Sequence, residues 1–442
     1  MQHTLPGSDW QLPPLEECWQ WSLDRLAQWQ VDAFNRQLQA ILPTNRFYQQ
    51  KLGTNPAPIR HLDDLAQWPM TTKAELVEAA QQAPTGISPH HTFDTRYYTR
   101  LHRTSGTKGR PLVILDSETD WRWWSGTWQH VLRAAGVTPD DRVFLAFSFG
   151  PFIGFWSAHQ ACVDLGALAI PGGGLSSLAR LEFMRQTAAA VVCCTPSYAM
   201  HLAEVAADNG FPLAELPVRI LIVAGEAGGS VPEVRQHIEK AWRARLVDHS
   251  GATEIGPWGF GWPDRPGLHI IETSFIAELL PLEDTSPGRP EGPVTQFELV
   301  LTSLGRIGAP AIRYRTGDVV EAHRPTDGPC RFLWLPRGVI GRADDMVTVR
   351  GVNVFPSGID AIVRQFPQVA EYQVRILRRG AMDELVVDAE CDAETAQRLA
   401  AALHIQLGLR IPVKTVPADS LPRFEAKARR WLDHRHLPAE KS

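Results

Sequence analysis

Arg219-Ile220-Leu221-Ile222-Val223-Ala224 is a short apolar run that ends in a turn, Gly225-Glu226-Ala227, and is followed by an amphipathic stretch. Arg142–Phe147 and Ala190–Cys194 are built the same way, each apolar run giving way to a turn and then to a helical pattern. Alternation of this kind over about residues 96–340 specifies α/β layers. Within them Trp121, Trp124 and Trp128 fall at i, i+3 and i+7, the spacing of a buried helix face. Residues 1–95 read as a helical opening region that carries little chemistry: Phe34, Leu38, Ile41 and Leu42 share one helical face, and Pro43 stops it.

Beyond Gly341 the pattern changes to β-α-β-β-α-β. Strands are expected near Met346–Arg350, Tyr372–Leu377, Glu384–Ala389 and Val413–Val416, with helices near Ser357–Gln365 and Ala393–Leu407. That order describes a split βαβ unit of roughly a hundred residues, enough to bury its own core and move as a body. The expected organisation is a large multi-layer α/β N-terminal domain over 1–341, a hinge at 342–345, and a small mobile α+β domain over 346–442. The Pro/Gly-rich stretches 281–293 and 324–338 read as surface excursions.

A chain of 442 residues exceeds the size at which one core keeps growing, and 44% apolar residues is ample for packed cores. Lys and Arg number 44 against 49 Asp and Glu, a net charge of −5, which leaves no basic excess for nucleic acid or an anionic membrane. The most apolar run, Val143–Trp156, is too short to span a bilayer and is broken by Gly150, Pro151 and Gly154. Six scattered cysteines form no disulfide framework, and the first thirty residues show no secretory pattern; a cytoplasmic location is expected. A homodimer is compatible with all of this.

His102-Arg103-Thr104-Ser105-Gly106-Thr107-Lys108-Gly109-Arg110-Pro111 is suited to wrapping a polyphosphate. Its glycines let the backbone approach closely, its hydroxyls and cations supply partners, and successive N–H groups can converge on phosphate oxygens. Two residues separate Gly106 from Gly109, against the four of the mononucleotide P-loop, so kinases and GTPases of that type are disfavoured. Taken alone such a loop is as often an ordinary turn. Three further segments accompany it: Ser250-Gly251-Ala252-Thr253-Glu254, Tyr314-Arg315-Thr316-Gly317-Asp318 and Gly341-Arg342-Ala343-Asp344-Asp345-Met346. Leu421-Pro422-Arg423-Phe424-Glu425-Ala426-Lys427 follows late in the chain.

In this order and at these separations the set resembles the adenylate-forming acyl-CoA synthetases and ligases, and within them the phenylacetate-CoA ligase branch. Arg350–Ser357, Gly267-Leu268-His269-Ile270 with Glu272, and Ile312–Asp318 carry the resemblance to that branch. It implies activation of a carboxylic acid by ATP and transfer to coenzyme A, with Mg²⁺ as cofactor. By the same resemblance Thr104, Ser105, Gly106, Thr107, Lys108 and Gly109 hold the β- and γ-phosphates, and Thr253 touches the α-phosphate. Glu254 holds Mg²⁺, which prefers oxygen ligands, and Asp318 takes the ribose hydroxyls. Arg342 reaches the ribose or α-phosphate, Gly225-Glu226-Ala227 lies beside adenine, and Lys427 bridges the carboxylate and the α-phosphate. Asp344 is the hinge about which the small domain turns, and Gly351 then lines the pantetheine channel. By position, Phe149, Phe152 and the Gly172-Gly173-Gly174 turn line an acyl pocket whose aromatic walls suit an aromatic or arylacetic acid, though the same residues would serve equally as core.

The chain departs from the pattern where an aromatic residue usually stacks on adenine; here Ser250 precedes Gly251, and Ala227 stands where proline is common. Bacterial relatives carry a zinc site of clustered cysteines between the Thr-Glu segment and the hinge, a stretch in which this chain has only Cys330, so no zinc is expected. His249 and His269 are expected to be hydrogen-bonded structural residues. The acceptor stays open between coenzyme A, a carrier-protein thiol, an amine and a cofactor hydroxyl, and a non-catalytic nucleotide-binding relative would share most of these residues.

Overall fold

The computed structural model describes residues 10–104, 111–282, 296–343, 347–349, 352–379, 382–424 and 430–435. The opening region holds helices α1 (Leu15–Cys18), α2 (Leu23–Ile41), α3 (Arg46–Leu52) and α4 (Lys73–Gln82). Phe34, Leu38 and Ile41 of α2 are buried against Ile276, Leu304, Ile307 and Ile312 of the main body. Thr72 and Glu75 start α4 with a capping box, each side chain accepting from the other's backbone N–H.

Strands β1 (Tyr98–Arg103) and β2 (Val113–Ser117) form an antiparallel hairpin, and α5 (Glu118–Ala134) follows. Its Trp121, Trp124 and Trp128 are all buried, as the spacing predicts. The chain then alternates through β3 (Arg142–Leu145), α6 (Gly154–Leu165), β4 (Leu168–Pro171), α7 (Ser177–Gln186), β5 (Val191–Cys194), α8 (Pro196–Asp208), β6 (Ile220–Val223), α9 (Pro232–Trp242) and β7 (Arg245–Ala252). Strands β3 to β7 lie side by side and parallel in the order β4-β3-β5-β6-β7. Val143–Leu145 of β3 and the whole of β5 and β6 are continuous apolar runs because both faces are covered, one by the core around α5 and one by that around α8 and α9.

Beyond β7 the same sheet continues antiparallel through β8 (Gly256–Trp262) and β9 (Arg265–Ile270). A second, antiparallel sheet contains β10 (Phe275–Pro281), β11 (Phe297–Ser303) and β12 (Tyr314–Val320). The chain returns to the large sheet as β13 (Trp334–Leu335), which pairs with β9, and β14 (Gly341–Arg342) then closes the second sheet against β12. The expected surface excursion at 324–338 is therefore corrected: Cys330, Phe332 and Leu335 are fully buried, because this stretch covers the end of the sheet. Residues 283–293 of the other expected excursion lie outside the described residues.

The remainder has an apolar core of its own, built from Val347, Val354, Ile359, Val374, Val387, Leu399 and their neighbours. Strands β15 (Val347–Val349) and β16 (Val352–Val354) pair as a hairpin, then come α10 (Pro356–Val363), β17 (Tyr372–Arg379), β18 (Met382–Ala389), α11 (Ala393–Leu407), β19 (Val413–Thr415) and β20 (Trp431–Asp433). The four-stranded sheet runs β19-β18-β17-β20. Among the described residues the strand expected at 346–350 pairs only within its hairpin, and β20, which no local pattern announced, takes the place beside β17. No helix among the described residues is long and apolar enough to cross a membrane.

Candidate active site

In an open parallel sheet, the loops that follow the strands share the carboxyl edge, where ligands bind. Phe149 and Phe152 follow β3, Gly173 follows β4, Gly225-Glu226-Ala227 follow β6, and Ser250 to Glu254 straddle the end of β7. Contacts tie these loops together. A Cβ on Gly173 would stand 2.9 Å from the Phe147 carbonyl and 3.4 Å from the Phe149 ring, so these loops meet at a position where only glycine fits easily. Gly229 packs on the Asp248 carboxylate, which brings the β6 turn onto β7 two residues before Ser250. The backbone N–H of Arg103 donates to the Pro151 carbonyl at 2.8 Å, which sets the β1–β2 hairpin against the Phe149–Phe152 turn.

That hairpin carries the polyphosphate-type loop. Thr104 pinches its base: its N–H donates to the Leu112 carbonyl and its hydroxyl accepts from the Leu112 N–H, both at 3.0 Å. Ser105, Gly106, Thr107, Lys108 and Gly109 lie outside the described residues. Glu226 caps α8, accepting from the Ser197 N–H at 2.8 Å, where a helix N-terminus favours negative charge. Burial pushes the Asp248 carboxyl up to about 7, against the pull of the Ser230 hydroxyl and the Arg235 charge.

Thr253 and Glu254 form the turn between β7 and β8. Gly256 follows at φ 122°, and a Cβ there would strike the Trp123 ring. The Glu254 side chain is only 6% exposed, and its Oε1 lies 2.7 Å from the Lys73 ammonium. The opening region, from which little chemistry is expected, thus sets a cation against Glu254. Thr71 explains the placement: its N–H donates to the Arg313 carbonyl at 2.8 Å and its carbonyl accepts from the Arg315 N–H at 2.9 Å, so the start of α4 is bridged to β12. The capping box at Thr72 and Glu75 marks the helix start in the sequence, but nothing local says that its first residue reaches Glu254.

Asp318 and Arg342 are direct cross-strand partners on β12 and β14, with a guanidinium nitrogen 3.3 Å from the Asp318 carboxylate. Burial, then the charges of Glu254, Arg342 and Asp318, act on the Tyr314 phenol and leave it well above its ordinary value. Tyr314 itself is the β12 residue bridged by Thr71, so α4, with Lys73 at its start, is tied to the strand that carries Asp318. On the acyl side Phe149 packs edge-on against Trp156 at 4.8 Å, and the Trp156 indole N–H donates to the Gly150 carbonyl. Phe152 is 53% exposed, so Trp156 rather than Phe152 backs Phe149. Ser250 is half-buried opposite Gly259, and Gly251 sits at a register shift against Gly256 and Pro257. His249 and His269 each bond a backbone carbonyl, those of Gly259 and Phe332, as expected of structural histidines. Asp344, Gly351 and Lys427 lie outside the described residues; the segment ahead of Lys427 is anchored where Arg423 forks onto Glu390, at 2.7 and 3.1 Å.

Comparison with known proteins agrees with this geometry. Residues 351–435 match the AMP-binding enzyme C-terminal domain family. The chain is 30% identical to a phenylacetate-coenzyme A ligase of Pseudomonas putida over 96% of its own length and 97% of that protein's. It also superposes on crystal structures of a 2-hydroxyisobutyryl-CoA ligase at 26–27% identity, covering 97% of this chain and 95% of that one. The TM-score is 0.86 for that enzyme in its postadenylation state with an acyl-AMP, and 0.69 for it in the thioesterification state with an acyl-AMP and CoA. Alignment along nearly the whole length of both chains, with the motif-bearing loops on one sheet edge, makes this protein a member of the phenylacetate-CoA ligase family.

Proposed function

We propose that the protein activates a carboxylic acid, aromatic or arylacetic, with ATP and passes the acyl group to coenzyme A. In the first step a carboxylate oxygen attacks the α-phosphorus of ATP and the bond to pyrophosphate breaks, giving the acyl-adenylate. In the second the CoA sulfur attacks the acyl carbon and AMP departs. The observation that carries this reading is the Glu254 carboxylate facing Lys73 at the start of α4, which Thr71 ties to β12, the strand where Asp318 pairs with Arg342.

The charge problem decides what the residues do. Two anions about 4 Å apart repel by roughly 4 kcal/mol at an effective dielectric near 20, so the encounter of carboxylate and triphosphate needs cations. Lys73, Lys108, Arg342 and Lys427 supply them, and the Thr253 hydroxyl donates to the α-phosphate. The Glu254 carboxylate fits Mg²⁺ as an oxygen donor largely shielded from water. When bound there, the metal would neutralise phosphate charge. Asp318 accepts from the ribose hydroxyls, and Phe149, Trp156 and Gly173 bound the acyl group.

For the second step the unit over 346–442 turns about 342–345, centred on Asp344, which withdraws Lys427 and brings Gly351 to the thiol's path. The separate core of that unit supports the motion, as do the different TM-scores against one relative in its two states. The test is acid-dependent exchange of pyrophosphate into ATP over aryl, arylacetic and alkyl acids, repeated with CoA and mass detection of product. Exchange with arylacetic acids followed by thioester release is expected. Absence of exchange with every acid overturns the reading.

A further inference from the structure

Beneath the candidate site lies a fully buried ion pair that none of the motifs contains. Asp116 is on β2, the strand leaving the phosphate-type loop, and Arg306 is in the connection from β11 to β12; both side chains are 0% exposed. The Arg306 Nε and one terminal nitrogen donate to one Asp116 oxygen at 3.0 and 2.7 Å. Its other terminal nitrogen donates to the backbone carbonyls of Thr253, at 2.9 Å, and Glu254, at 3.2 Å. One planar guanidinium therefore holds the loop-bearing hairpin at one end and the Thr-Glu turn at the other.

The surroundings fix it in place. Its guanidinium carbon sits 5.0 Å from the centre of the Trp124 ring, whose indole N–H donates to the same Asp116 oxygen at 3.2 Å. The segment bearing Arg306 is tied to α5 on both sides, through the Trp123 indole to the Leu304 carbonyl and through the Gly308 N–H to Asp120. A buried ion pair seldom adds net stability over apolar residues of similar size, because desolvating two charges offsets their attraction. Arg306 also uses its other terminal nitrogen on main-chain oxygens of Thr253 and Glu254, the two residues whose side chains the proposed function sets against the nucleotide. Geometry, rather than stability, is what such an arrangement supplies.

We propose that Arg306, held by Asp116, is a positioning residue that sets the Thr253 hydroxyl and Glu254 carboxylate in register with the hairpin carrying the phosphate-type loop. The inference rests on the function proposed above. Arg306 touches no substrate; it acts through the turn. The conservative substitution Arg306→Lys keeps the charge but cannot reach Asp116 and two carbonyls at once.

The test measures pyrophosphate exchange, its Mg²⁺ dependence and Tm for three proteins: wild type, Arg306→Lys, and the double substitution Asp116→Asn with Arg306→Met. The double substitution removes both buried charges together, so neither is left uncompensated. Expected for both variants is a 10–100-fold fall in exchange kcat with a several-fold rise in the Mg²⁺ needed for half-maximal rate, the usual scale for groups supporting a metal ligand. A fall in Tm and rate with the Mg²⁺ requirement unmoved makes Arg306 merely structural and overturns the proposal, as does exchange within two-fold of wild type in the Arg306→Lys protein. Should the double variant not fold, Arg306→Lys decides alone. No exchange by wild type with any acid removes the functional reading and this proposal together, whereas wild-type exchange with an unaffected Arg306→Lys variant removes this proposal only.

Discussion

Replacing Lys73 by methionine keeps the unbranched stem, one atom shorter, and deletes the ammonium that faces Glu254. At the observed 2.7 Å, two unit charges attract by about 6 kcal/mol at an effective dielectric near 20 and by about 1.5 kcal/mol in bulk water. The Glu254 side chain is 6% exposed but that of Lys73 is 42% exposed, so water screens the pair and the lower figure is nearer. Loss of roughly 1–2 kcal/mol follows, a small shift in Tm for a chain with more than one core. The effect on chemistry is larger, because a cation placed where charge develops is typically worth 10²–10³ in rate. Exchange of labelled pyrophosphate, run against ATP and Mg²⁺ concentration, is expected to show kcat/KM for ATP lowered at least ten-fold in Lys73→Met, with the loss deepening as salt is reduced. Exchange within two-fold of wild type at every ATP and Mg²⁺ concentration would refute the reasoning and leave the ion pair a device for holding α4.

Three other outcomes are expected. Lys427→Ala cripples acyl-adenylate formation but spares thioester formation from a supplied acyl-adenylate, and equal loss in the two half-reactions contradicts its assignment. Gly173→Val puts a Cβ 2.9 Å from the Phe147 carbonyl and 3.4 Å from the Phe149 ring, so KM should rise more for arylacetic than for short alkyl acids; a uniform change would place Phe149 outside the acyl pocket. The Asp248 carboxyl is raised to about 7 by burial, so the folded state holds its proton more tightly than the unfolded chain does. Stability on this account is fully present below about pH 4 and falls as pH rises toward 7. Asp248→Asn should therefore gain on wild type in Tm between pH 5 and pH 8, and parallel Tm curves across that range would exclude a buried carboxyl that titrates there.

Much of this molecule is written locally. The runs at 142–147, 190–194 and 219–224 read as strands because both faces of a covered parallel strand must be apolar, and Trp121, Trp124 and Trp128 read as a core face because helical geometry repeats every 3.6 residues. The motifs were legible too, since a turn that must approach phosphate demands glycine, hydroxyls and charge whatever lies elsewhere. The helix over Ala393–Leu407 was placed to the residue by its apolar period.

Other features had no local signature. The Pro/Gly density of 324–338 hid a strand that pairs with β9, and β20 is too short to announce itself. Lys73 is, by its local sequence, only the first residue of a capped helix, and it is the bridge from Thr71 to β12 that sets it beside Glu254; Asp116 and Arg306 carry no sign of each other along the chain. The sequence by itself determined the layers, the order of elements and which residue types meet phosphate, because backbone period and turn chemistry act between near neighbours. Only the tertiary structure decided which distant cations and carboxylates share a site, because such partners are chosen by the surfaces that bury together, and no periodicity along the chain encodes that choice.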